Sequence, residues 1–190
     1  MRHVFAQFRP ALRAPLVAGL LSLFTLSPAL AGAGAEPVLP AAVPQIARLE
    51  VGVFCAWQQM DRAPAPDTAN GWIHVPMDEV TFQWPDRQIV PAVIGMGFGL
   101  RATGAPGFET AVGEVRVYRP GRSAPETWAS DVSDFGPTLA FFRFDTQDEL
   151  IPGRWVFEGW DRDQLLYRAE FEVVLPSALP GMAGACDATS

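Results

Sequence analysis

The chain has 190 residues, of which 14 are basic, 21 acidic and 2 histidine, and its formal net charge is −7. Every basic residue is arginine, so Schiff-base catalysis and a lysine general base are excluded. The acidic balance argues against nucleic acid and anionic membrane surfaces as partners, because both are bound through clustered cations.

Residues 1–31 have the pattern of a cleavable export signal. Arg2, His3, Arg9 and Arg13 form a basic lead, 14–26 is mostly apolar, and Ala29-Leu30-Ala31 supplies the small-x-small cleavage site. Cleavage there starts the mature chain at Gly32, while Ala33 and Ala35 leave a cut after Ala35 open. The apolar run of about 13 residues falls short of the roughly 20 that span a bilayer, and Pro15 and Ser27-Pro28 interrupt it. No cysteine near the cut offers a lipid acceptor and no second apolar stretch follows. The expectation is a periplasmic or secreted protein with no membrane anchor. Its mature part has 159 residues, enough for one domain, and eleven arginines against twenty-one acids give it a net charge of −10.

Residues 32–45 are rich in Ala, Gly and Pro and read as a flexible or extended lead-in. The first strand is predicted over 46–55, where Leu49, Val51 and Val53 alternate with Arg48, Glu50 and Gly52. Residues 61–70 form a proline-rich stretch predicted as a loop with no regular element. Short strands are expected at 71–75 and 79–84, separated by Pro76. Over 88–103 the glycines stand at 95, 97 and 99, a G-x-G-x-G spacing that departs from the dinucleotide-binding fingerprint. Glycines on one face of a strand instead predict close approach of a backbone or an aromatic ring, or a bulge.

The alternation then becomes regular. Val115 and Val117 share one face of 112–118, Ala140, Phe142 and Phe144 one face of 138–145, and Trp155 and Phe157 face inward over 153–161, with Glu158 and Trp160 outward. A turn at Asp161-Arg162-Asp163 leads to 164–175, where Tyr167, Ala169, Phe171 and Val173 face inward, so the last two strands form a β-hairpin. Helical periodicity is nearly absent. Six to eight short strands predict an all-β, antiparallel immunoglobulin-like sandwich over 46–175, with a small β-barrel as the alternative. Residues 176–190 read as a C-terminal tail ordered near Cys186.

Cys55 and Cys186 are the two cysteines, and in an oxidising compartment an even pair predicts a disulfide. After export His74 is the single imidazole, so neither a multi-histidine zinc centre nor a serine triad on a G-x-S-x-G elbow is available; its place between Ile73 and Val75 reads as an ordinary strand histidine. Asp161 and Asp163 fall short of the six to eight oxygens that Ca²⁺ takes. Pairs such as Glu170 and Glu172 read as solvated charge, leaving carboxylate-based glycoside hydrolysis as the only enzymatic chemistry to weigh. No catalytic residue, metal or cofactor is therefore assigned.

Three segments, LEVGVFC (49–55), IVPAVIGMGFGLRATG (89–104) and PGRWVFEGWDRDQLLYRAEFEV (152–173), resemble the bacterial family called domain of unknown function 3859. The resemblance spans roughly 49–175, implies a single domain, and brings no activity, ligand or catalytic residue with it. The leading functional expectation is a non-enzymatic secreted or envelope-associated protein acting through protein–protein contacts. The alternative is a glycan-binding module using exposed members of the six tryptophans, Trp57, Trp72, Trp84, Trp128, Trp155 and Trp160. Its expected platform is Trp160 with Glu158, or Trp72 and Trp84 near loops.

Overall fold

The structure is a computed structural model that describes residues 37–186; the export signal expected over 1–31 lies outside them, as do 32–36 and 187–190. Strands β1 (Ala41–Ala42), β2 (Ile46–Cys55), β3 (Met60–Pro64), β4 (Trp72–Pro76), β5 (Trp84–Pro85) and β6 (Ile89–Pro91) occupy the first half. They are followed by β7 (Met96–Gly104), β8 (Gly113–Tyr118), β9 (Glu126–Ala129), β10 (Thr138–Arg143), β11 (Gly153–Asp161) and β12 (Gln164–Val174). The last segment turns through short 3-10 stretches and a single-turn helix, α1 (Pro180–Ala183). No helix among the described residues is long and apolar enough to cross a membrane.

Two sheets make the body. One has the order β1-β12-β11-β8-β9, with β6 joining β12 in parallel; the other has the order β10-β7-β2-β5, and its pairings are antiparallel. Both sheets end in edge strands, so the two-layer antiparallel sandwich expected of an immunoglobulin-like domain is formed and the barrel alternative is not. The period-two patterns explain why. Val115, Val117, Trp155, Phe157, Tyr167, Ala169, Phe171 and Val173 point into a core shared with Val51, Val53, Phe98, Leu100 and Ala140 of the opposite sheet.

Phe98 is the hub of that core. It is fully buried, and its ring lies 5.3 Å from Phe171, 5.4 Å from Phe144 and Trp155, 5.8 Å from Phe157 and 6.2 Å from Phe142. Most of these contacts are edge-to-face or tilted, the geometry the ring quadrupoles favour. Trp155 satisfies its buried indole by donating to the Ile151 carbonyl at 3.0 Å.

The outer face of the second sheet is also covered. Phe54, Leu139 and Phe141 point away from the main core and form a second cluster with Ala56, Met60, Val80 and Phe82. Here the glycines find their reason. A Cβ at Gly97 would overlap the Phe54 ring, one at Gly52 the Phe82 ring, and one at Gly99 the backbone of Ala140 and Phe141. Gly95 differs: its φ of 82° places it in a turn.

Three expectations need correction. Residues 61–70 are not wholly irregular, because β3 and β4 pair antiparallel as a two-stranded ribbon, with Pro64 opposite Trp72 at its end. A ribbon separate from both sheets leaves one side of each strand unpaired, which is where proline, lacking an N–H, is tolerated. Over 79–84 only Trp84 enters a sheet; Val80 and Phe82 alternate because they bury on the second cluster rather than pair. Strand β9 pairs with β8 where no strand was expected. Ala41–Ala42 lie in the lead-in read as flexible or extended, and they are extended, pairing with β12.

The closing segment returns to the body. Met182 packs on the main core and Cys186 forms a disulfide with Cys55, their Cα atoms 5.2 Å apart and their positions 131 apart in sequence. Closing a loop of that length removes unfolded-state entropy equivalent to at most about 5 kcal/mol.

Gly99→Ala is expected to destabilise the fold by about 1–3 kcal/mol, because the new methyl meets backbone that cannot rotate away. Urea denaturation of the two proteins measures it, and an unchanged midpoint would contradict the packing reason given for the glycines.

Candidate functional site

The residues expected to form a ligand platform are not brought together. Trp160 and Glu158 lie on the outer face of β11, where the Trp160 indole donates to Glu158 at 3.0 Å and the Arg116 guanidinium covers the ring at 4.3 Å. Glu158 also accepts from Arg168, which reaches Glu170 at 3.0 Å, so the carboxylate is nearly buried and already paired. Burial, reinforced by Glu158, pushes the neighbouring Tyr118 phenol up. Trp72 stands on the ribbon with the Arg62 guanidinium 3.9 Å over its ring. Trp84 sits on β5, facing an open cleft shared with Leu179 and Met182. No two of these three rings are in contact among the described residues.

A half-open cleft lies between the ribbon, β9 and β10. His74 on β4 donates from Nε2 to Asp145 Oδ2 at 2.6 Å, and Arg143 Nε lies 2.7 Å from the other carboxylate oxygen. Glu149 accepts from the Asp145 and Thr146 amides at 2.6 and 3.1 Å and from Asn70 at 3.2 Å. Behind them Arg119 and Glu126 form a buried pair at 2.7 Å, with Arg119 stacked near Phe142 and Trp155. His74 is thus on a strand as expected, but its pairing with Asp145, 71 positions away, was not legible.

What this cleft can do is limited by its charges and its size. With Nε2 committed to Asp145, Nδ1 is buried and has no hydrogen-bond partner among the described residues. The hydroxyl of Thr68, which lines the same cleft, donates to backbone carbonyls at 2.8 and 3.2 Å rather than to His74. The cavity of ≈ 40 Å³ holds a few water molecules and is too small for a sugar ring. No group of three or more His, Cys, Asp or Glu that could hold a metal occurs among the described residues.

The second candidate is the loop end of the sandwich, where 105–112, 130–137 and the 161–163 turn meet. Three aspartates fasten these loops by accepting from backbone N–H groups. Asp134 Oδ2 takes Gly107 N at 2.6 Å, Asp161 Oδ1 takes Val112 N at 2.9 Å and Ala111 N at 3.1 Å, and Asp131 Oδ1 takes Gly113 N at 3.2 Å. Thr110 adds a relay, donating to Asp131 at 3.1 Å and accepting from Val132 N at 3.1 Å. The amides of Val112 and then Ala111 hold the Asp161 carboxyl below the usual carboxylate range. Asp161 Oδ1 is thus committed to backbone amides.

On this fastened end two large apolar side chains point outward: Phe135 is 89 % exposed and Val112 57 %. Neither was singled out in the sequence. The string Ser133-Asp134-Phe135-Gly136-Pro137 reads only as a turn, and an aromatic at its centre was the one available signal.

No protein-family model matches the chain, and no curated protein matches it significantly. Among solved structures the chain is similar to an immunoglobulin-like protein from Pseudomonas aeruginosa, with 19% identity, a TM-score of 0.46, and coverage of 75% of this chain and 100% of that one. The sandwich class itself stands on the strand pairing described above.

Because its folded value is depressed, Asp161 stabilises the fold above its ordinary unfolded value of about 3.9, and this contribution is lost as the pH falls through the lowered folded value. The difference in urea midpoint between wild type and Asp161→Asn is expected to be complete above about pH 5 and to shrink below about pH 4. A gap that does not vary with pH would contradict the charge-assisted fastening.

Proposed function

We propose that the chain is an exported, non-enzymatic binding module, acting in the periplasm or outside the cell, and that it engages another protein through the loop end. The observation that carries this reading is Phe135, 89 % exposed on a loop whose conformation is fixed by carboxylate-to-backbone hydrogen bonds. Leaving a large aromatic ring in water costs hydrophobic free energy, and aromatic anchors are the side chains that dominate binding when they enter a partner's pocket. A fastened loop also loses little entropy on docking. Sandwich domains commonly present their end loops in this way. The disulfide of Cys55 with Cys186 supports an oxidising location.

The glycan reading has less support, since Trp72, Trp84 and Trp160 serve different surfaces and two of them carry an arginine over the ring. The resemblance to domain of unknown function 3859 remains part of this proposal and adds no activity to it.

A photo-crosslinking residue placed at Phe135 in the native host is expected to give a discrete protein adduct, whereas the same residue at Arg154, on the outer face of β11, gives none. Equal labelling at both positions, or none at Phe135, would contradict the assignment of the loop end.

A further inference from the structure

We infer that the partner engaged by the loop end is a protein surface whose apolar pocket is rimmed by arginine or lysine; this rests on the protein-binding reading of the same end. Acids crowd the loops that carry the two exposed apolar side chains. Glu109, Asp131, Asp134, Asp161 and Asp163 all belong to the loops that carry or flank Phe135 and Val112. Within those loops the only cation is Arg162. Arg48, on the neighbouring β2, is neutralised by Glu50 at 2.9 Å. On the outer face of β8, β11 and β12, by contrast, Arg116 pairs with Glu114, Arg168 with Glu158 and Glu170, and Arg154 with Glu170. None of the five loop-end acids has such an arginine partner among the described residues.

The five acids have two jobs. Asp131, Asp134 and Asp161 fasten backbone, so their negative charge comes with the loop conformation. Glu109 and Asp163 accept no hydrogen bond and form no ion pair among the described residues, and both are exposed. Fastening the loops does not explain them. Their carboxylates add to the same negative rim and are free to meet cations across an interface. An apolar centre within a charged rim is the usual anatomy of a specific interface, and complementary rims act mainly on association rate and on partner choice. A pocket rimmed by carboxylates would be repelled, and a neutral pocket would gain nothing from Glu109 and Asp163.

The test uses the mature protein with its disulfide intact, and its probe is a display library of random peptides, linear and disulfide-closed, panned on wild type at low salt. The expected result is an enriched set combining aliphatic or aromatic residues with Arg or Lys. Its binding should be lost with Phe135→Ala and should associate roughly tenfold more slowly with the Glu109→Gln, Asp163→Asn double variant or at high salt. Those substitutions leave the fastening bonds untouched, so circular dichroism and the urea midpoint should match wild type and a folding defect is recognised independently. Enriched peptides that are neutral or acidic, or cationic ones indifferent to the double variant, overturn the basic-rim inference while leaving the protein-binding reading in place. Enrichment that persists with Phe135→Ala overturns the loop-end assignment, and no enrichment at all overturns both.

Discussion

The sandwich depends on the ring of Phe98. It rises from β7 in one sheet and meets Phe157 and Trp155 of β11 and Phe171 of β12 in the other, while Phe142 and Phe144 close the cluster from its own sheet. Large rings interlocked edge to face resist both sliding and separation of the layers, since each displacement loses several contacts at once. With the layers fixed, the alternation along β7 imposes the rest. Phe98 and Leu100 face inward, so Gly97 and Gly99 must face outward, and their missing side chains make room for Phe54 and for the backbone beside Phe141. The second cluster and the ribbon of β3 and β4 are then seated on that outer face.

Arginine does the polar work of this fold in a way lysine could not. Four arginines lie over aromatic rings: Arg62 over Trp72, Arg101 over Phe82, Arg116 over Trp160, and Arg119 over Phe142 and Trp155. A planar guanidinium stacks on a ring and still presents N–H groups at its edge, which is how Arg119 reaches Glu126 from within the core boundary. The same stacking occupies the tryptophan faces that a sugar would need. Some carboxylates are neutralised by arginine, as Glu126 is by Arg119 and Glu158 by Arg168, whereas Asp131, Asp134 and Asp161 at the loop end accept backbone N–H groups instead. That second use fixes loop conformation and leaves net negative charge outside.

Much of the body was legible because strand faces repeat locally. Leu49, Val51 and Val53, or Trp155 and Phe157, declare their direction within a few residues, and β2 and β11 form over the predicted spans. Cys55 and Cys186 were legible as a pair because nothing else was available to either. What escaped the sequence is non-local. The ribbon strand Met60–Pro64 carries two prolines within reach and no alternation, and it exists because Trp72 to Pro76 lies beside it. His74 meets Asp145, and Asp134, Asp161 and Asp131 meet amides 18 to 50 positions away, through chain crossings that no local pattern encodes. The same holds for the platform: Trp72, Trp84 and Trp160 look alike in sequence and are separated by the topology.

A rigid sandwich thus holds its end loops in one conformation through carboxylate-to-amide bonds and presents Phe135 on a fixed base. Residue-resolved amide hydrogen exchange of the mature protein tests it most directly. The amides of Gly107, Ala111 and Val112 are expected to exchange at least about a hundredfold more slowly than in an unstructured chain, although they lie in surface loops. Exchange of these three at unstructured rates, with β7 and β11 still protected, would contradict it.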